Sequence, residues 1–322
     1  MVDSSRSAER YGLASVDDVV KALEHEDYLV DEGLATTVFL ALSLQRPLLL
    51  EGEAGVGKTE IAHALAQALG VPVIRLQCYE GIDASQAVYE WNYSRQLLHL
   101  RAVEAIAGRG ELCDLEEELY SQDFLLRRPL LSAIDASSIT VTASGERRPP
   151  VLLIDEIDRA DDEFEAFLLE VLSDYAITIP ELGRVRAELP PITILTSNRT
   201  RDLHDALKRR CLYHWVAHPS FEREVEIICR RAPEVEHSLA RQVAAVASAL
   251  RDADLYKPPG IAETLDWARS LTFLSESEVT AANFRRSSGA LLKYREDGDR
   301  VQSLDLAQII RSAVLRGGSG NS

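Results

Sequence analysis

Short unbroken aliphatic runs and longer stripes of helical spacing take turns along the first 219 residues. Leu48, Leu49 and Leu50 form one run, and "VPVIRLQC" forms a second by its branched aliphatic content. "VLLIDEI", Val151 to Ile157, is a third and "ITILTSN" a fourth. Each is the length of a strand buried on both faces. Between the runs the period changes. Ile61, Leu65 and Leu69 share one helical stripe, and "SRQLLHLRAVEAIAG" and "SQDFLLRRPLLSAI" carry the same spacing, so the roughly 70 residues ahead of Val151 are expected to hold helices. Ser15 with Asp18 marks a helix start before Val19, Val20 and Leu23, and Asp31 can cap a second helix through Leu34, Val38, Phe39 and Leu42. A further helix is expected from Asp161 to about Ser173, followed by a hairpin through "AITIPELGRVRAEL" that turns near Gly183. Strands alternating with helices predict a parallel α/β sheet.

Past Pro219 the period is helical throughout: "FEREVEIICRRA", "HSLARQVAAVASALR", "IAETLDWARSLTFL" and "SLDLAQIIRSAVL". No strand is expected there. The pattern divides the chain into a loose N-terminus (1–15), an α/β domain (16–219) with a helical insertion (77–135) and a hairpin (176–189), a helical domain (220–315), and a flexible tail (316–322).

Composition narrows the classes. The 322 residues suffice for two cores. Formal net charge is -17, from 52 acidic and 35 basic side chains, which makes sequence-independent binding of nucleic acid a poor expectation. Cys78, Cys113, Cys211 and Cys229 lack C-x-x-C spacing, so they are expected as free thiols in a reducing cytosol. No histidine spacing suggests a metal site, and His204, His214 and His218 are expected to be structural or on the surface. No apolar run reaches the roughly 18 residues of a membrane span, and "MVDSSRSAER" lacks a leader's hydrophobic region, so the expected location is cytoplasmic.

The chemistry begins after the first strand. "GEAGVGKT" meets G-x-x-x-x-G-K-[ST] at every constrained position, with Gly52, Gly57, Lys58 and Thr59, and Gly55 adds a flexible residue inside the loop. Glu53, Ala54, Val56 and the following Glu60 complete the segment. Such a loop between strand and helix presents converging backbone N–H groups and the positive end of a helix dipole to a polyphosphate, with Lys58 as point charge and Thr59 as a hydroxyl for Mg²⁺. "VLLIDEIDR" then places Asp155 and Glu156 at the carboxyl end of a buried strand, where open α/β sheets bind ligands. Asp155 suits Mg²⁺, and Glu156 suits polarising the water that attacks a γ-phosphate. Asp158 and Arg159 either contact a neighbouring subunit or cap the next turn. Asn198 closes the fourth strand and can hold the attacking water. Arg209 and Arg210 end a short helix in "LHDALKRRCLYHW", where a guanidinium can act on the nucleotide of an adjacent subunit. The clustered Tyr89, Trp91 and Tyr93 either anchor a helix or grip an extended client segment, and the acidic Asp114–Asp123 stretch reads as a solvated helix face.

In this order, "GEAGVGKT", "LLIDEID", Asn198 and the arginine pair, followed by helices, resemble the AAA+ ATPases and, within them, the MoxR family. "RPLLLEGEAGVGKTE", "FLLRRPLLSAI", "ALKRRCLYHW" and "PPGIAETLDWARSL" are similar to the CoxD-like group, implicated in maturing the metal centre of carbon monoxide dehydrogenase-type enzymes. The resemblance covers about residues 25 to 275. It implies an ATP-hydrolysing homohexamer with Mg²⁺, a partner carrying a von Willebrand factor A (VWA) domain, and a client enzyme. It further implies a helix-2 insertion, a pre-sensor-1 hairpin and a helical lid. By family position, Asn198 becomes sensor 1, Arg210 the arginine finger with Arg209 as the second choice, and Tyr28, Leu29 and Val30 the adenine pocket. The lid's usual sensor-2 arginine has no match at Ile261 or Ala262, leaving Arg269, Lys257 or no such contact. Two rivals share the loop: a nucleic-acid motor, against which the charge argues, and a monomeric kinase or switch, which would need an acceptor pocket or an NKxD-like base reader that "NRTRD" is not.

Overall fold

The structure is a computed structural model that describes residues 8–106, 118–303, 308 and 310–312. Cys113, Asp114 to Glu117, most of "SLDLAQIIRSAVL" and both chain ends, for which features were expected above, lie outside the described residues. Along the chain run α1 (Val16–His25), α2 (Glu32–Leu44), β1 (Leu48–Gly52), α3 (Lys58–Leu69), β2 (Val73–Gln77), α4 (Ala84–Ala87), β3 (Tyr89–Trp91), α5 (Tyr93–Ile106), β4 (Leu125–Arg127) and α6 (Pro129–Ile134). Then come β5 (Thr140–Val141), β6 (Arg147–Arg148), β7 (Val151–Asp155), α7 (Asp162–Asp174), β8 (Ala176–Ile179), β9 (Gly183–Arg186), β10 (Ile192–Ser197), α8 (Asp205–Arg210) and β11 (Leu212–Val216). Five helices follow: α9 (Phe221–Arg231), α10 (His237–Arg251), α11 (Ile261–Phe273), α12 (Ala281–Leu291) and α13 (Arg295–Ser303).

The described residues form two compact units. One holds the chain through Ala22, Asp31–Glu51 and Ala62–His214; the other holds Leu23–Val30, Gly52–Ile61 and the chain from Trp215 on. In this grouping the glycine loop clusters with the helices that follow Trp215.

The first unit is built on a five-stranded sheet in the order β11-β1-β10-β7-β2. β10 pairs in parallel with both β1 and β7, and β7 with β2, placing Leu48 opposite Ile194, Ile194 opposite Leu153 and Gln77 opposite Asp155. β1 and β7 are buried along their whole length, as aliphatic runs covered on both faces require. The core beneath joins Leu152, Ile154, Leu168, Leu195, Leu130 and Trp91. The expected cap forms at Asp31, which accepts from the Leu34 amide at 2.8 Å to open α2; Asp161 also caps, accepting from the Phe164 amide at 2.8 Å to open α7.

The insertion departs from the helical expectation. β3 and β4 pair antiparallel, Tyr89 opposite Arg127 and Trp91 opposite Leu125, so "SQDFLLRRPLLSAI" is strand before it is helix. The proline explains the switch: Pro129 sits at the first helical turn, and Arg128 before it is held extended at φ -93°, ψ 172°. β8 and β9 form the second ribbon, with Ile179 opposite Gly183.

The second unit packs Trp267, Leu271, Val243, Leu250, Ile228 and Phe284 into one helical core. Trp267 is fully buried and its indole N–H donates to Ser287 Oγ at 2.8 Å. Arg251 makes a fork with the buried Glu224 carboxylate at 2.8 and 2.5 Å.

Candidate functional site

Within the helical unit, the loop from Gly52 to Thr59 is already shaped. The Lys58 ammonium is buried and donates to the carbonyls of Gly52 at 2.8 Å and Glu53 at 2.6 Å. Gly52 leaves no room for a side chain, since a Cβ there would meet the Val216 carbonyl oxygen at 2.3 Å, and Gly57 takes φ +92°, a left-handed value that favours glycine. The Gly55 carbonyl accepts from the Ile261 amide at 2.9 Å, so the first turn of α11 is tied to the loop. The Tyr28 hydroxyl donates to the Gly57 carbonyl at 3.5 Å, and Leu29 beside it is half-buried. Glu53 meets the His218 ring at 3.0 Å, and Glu60 pairs with Arg231 at 2.6 Å. Of the two sensor-2 substitutes, Arg269 is engaged by Glu234 and the Arg231 carbonyl, while Lys257 lies over the Tyr294 ring at 5.8 Å.

Within the sheet unit, β7 delivers two carboxylates with different surroundings. Asp155 is buried; its Oδ1 accepts from the Thr196 hydroxyl at 2.6 Å, and its Oδ2 from Arg75 at 3.0 and 2.5 Å. Glu156 turns out of the strand in the left-handed region, φ 55°, ψ 50°, a backbone state that costs a non-glycine residue about 1–3 kcal/mol and concentrates at functional sites. Its carboxylate is shared among Gln77 Nε2 at 3.1 Å, Arg159 Nε at 3.0 Å and Asn198 Nδ2 at 3.4 Å. Asn198 and Glu156 are therefore neighbours. Arg159 pairs with Glu156 at 3.0 Å, and the buried Asp158 accepts from the Thr200 amide and hydroxyl at 2.9 and 2.7 Å. Cys78, which follows β2, is an inert thiol: burial first, then Asp155, Asp158, Glu156 and Glu165, push its pKa up to about 12.

The two arginines of α8 differ. Arg210 donates through Nε and Nη2 to the Leu172 carbonyl at 3.1 and 3.0 Å. Arg209 is exposed, and its guanidinium has no partner among the described residues.

Sequence reading missed Arg75, Gln77, Thr196 and Arg231. The first three become partners of Asp155 and Glu156 only because β2 and β10 flank β7 in register. The single available signal was a polar arginine and glutamine inside an otherwise apolar strand.

The glycine loop after β1, the acidic pair ending β7 and the intervening β10 define a P-loop NTPase of the AAA+ class. The sequence profile of the AAA domain (dynein-related subfamily) matches residues 47–211, just over half of the chain, and the chain belongs to that family. No curated protein matches it. Among solved structures, the chain is similar to the RuvB Holliday junction branch migration motor of Thermotoga maritima, at 16% identity over 88% of this chain and 74% of that one, with a TM-score of 0.41. A point mutant of the same RuvB matches at 17% identity with the same coverage and a TM-score of 0.45.

Proposed function

We propose that this chain hydrolyses ATP with Mg²⁺ and works as a ring, a homohexamer, that remodels or matures a client enzyme together with a VWA-domain partner. The observation that carries the hydrolytic part is Glu156, a strained residue whose carboxylate is shared by three polar groups, including the amide of Asn198. In this reading Lys58 and the amides of Gly55 to Thr59 hold the triphosphate, Thr59 and Asp155 hold the metal, and Tyr28 and Leu29 border the base. Glu156 accepts the proton of the attacking water, which Asn198 orients. The residues suit both groups: the buried Lys58 ammonium sits within the glycine loop as a positive charge for a polyphosphate, and Asp155 already takes a cation, the Arg75 guanidinium, on its buried carboxylate. Mg²⁺, when bound, neutralises phosphate charge at this position.

For the residue acting across the ring, the order of choice reverses. Arg209 is exposed, whereas Arg210 is committed to the Leu172 carbonyl, which supports Arg209 as the group that reaches a neighbour's nucleotide. The MoxR-type assignment, the VWA partner and the client class rest on the motifs quoted above.

The test is turnover per subunit against protein concentration, with and without a VWA-domain protein encoded beside this chain. A rate that climbs with concentration and collapses in Arg209→Ala supports a site completed by a second subunit. Turnover independent of concentration and of the partner would return the loop to a monomeric kinase or switch.

A further inference from the structure

Outside the nucleotide machinery, a cleft of about 1190 Å³ opens in the sheet unit, walled by α4 and β3 on one side and by α7 with the β8–β9 hairpin on the other. It exceeds the roughly 300–1,000 Å³ of a small-molecule site, which favours a polymer as occupant. Its wall offers aromatic faces, with Tyr93 66% exposed and Tyr89 half-buried against Trp91 at 6.0 Å between ring centres. Four carboxylates line it. Arg128 pairs with Glu90 at 2.5 Å and Arg184 with Asp174 at 2.6 Å. Glu170 and Glu181 are exposed and have no cationic partner among the described residues. The charges gather on the rings: after burial, Glu181 and then Tyr93 raise the Tyr89 hydroxyl's pKa.

We infer that this cleft docks an extended stretch of client polypeptide carrying lysine or arginine. Ring faces and uncompensated carboxylates both select cations, by cation–π attraction and by ion pairing, and the same carboxylates repel a phosphate backbone. Each such contact is weak at an exposed site. Binding that is weak per contact suits a machine that must release what it grips. The client role rests on the ATPase reading above, whereas the groove's selectivity does not.

The experiment uses the full chain without nucleotide and a fluorescein-labelled peptide of three Lys-Val-Ser repeats, against the same peptide with glutamate in place of lysine. Anisotropy is expected to show binding of the lysine peptide only, weakened about five- to tenfold in Glu170→Gln/Glu181→Gln and also in Tyr93→Ala. Asp17→Asn/Glu236→Gln removes the same charge from exposed positions elsewhere and should leave binding unchanged. Basal ATP turnover should be the same in all variants. Equal binding of both peptides, or equal loss in the control pair, overturns the groove. If wild type binds as expected but turns over no ATP, the ATPase reading fails and the groove stands.

Discussion

Glu156 holds its left-handed backbone while three donors compete for its carboxylate, so the residue is fixed by contacts that an amide can partly keep. Glu156→Gln should therefore fold with an unchanged melting temperature and bind ATP, yet lose turnover by about 100-fold or more, the usual worth of a positioned base. Nucleotide affinity by fluorescent-ATP titration and turnover by phosphate release separate the two. The arginine pair gives the opposite partition. Arg209→Ala should cut turnover without changing the melting temperature, because its exposed guanidinium has no partner among the described residues. Arg210→Ala leaves the Leu172 carbonyl without its two donors and should lower stability by about 1–3 kcal/mol, read from denaturant unfolding. A variant pair with these effects exchanged would restore Arg210 as the trans-acting group.

In the helical unit, a buried polar linkage joins three elements. Arg251 on α10 reaches the fully buried Glu224 on α9 and also donates to the Pro259 carbonyl at 2.8 Å just before α11. Arg251→Ala would strand a carboxylate in an apolar core, and the expected loss is about 3–5 kcal/mol. The double variant Arg251→Met/Glu224→Leu should recover most of that loss, which thermal unfolding would report; a cheap single variant would show the linkage to be unimportant. Long periodic segments such as α9, α10 and α11 were legible because each repeats its apolar stripe over three or more turns. β3 and β4 were not, since three residues cannot display a period of two, and neither were β5 and β6. α12 and α13 were overlooked because "AANFRRSSGAL" and "REDGDRVQS" carry few large apolar residues and owe their helices to packing around Phe284 and Val301. For the site, contiguous motifs gave Lys58, Thr59, Asp155 and Glu156. Gln77 and Arg75 meet the acidic pair only through sheet register, which one strand's residues do not encode.

At the scale of the whole molecule, thiols report how each unit opens. Cys78 and Cys211 belong to one core, and burial pushes both pKa values up to about 12. At pH 8 almost no thiolate is present at either, so maleimide should modify them slowly and at one shared rate, set by opening of the sheet core. Cys229, half-buried in the other core, should follow a separate rate. Mass spectrometry of labelled peptides over time checks this, and independent rates for Cys78 and Cys211 would mean that the sheet opens piecemeal. The order of the sheet carries a consequence for synthesis. β1 finds its partner in β10, with Leu48 opposite Ile194, so the three leucines after Pro47 leave the ribosome long before the strand that covers them. At about 5–20 residues per second the wait is on the order of ten seconds. Throughout that interval a nascent chain exposes a naked aliphatic strand, so its synthesis calls for a holdase that covers Leu48 to Leu50 until β10 has been made.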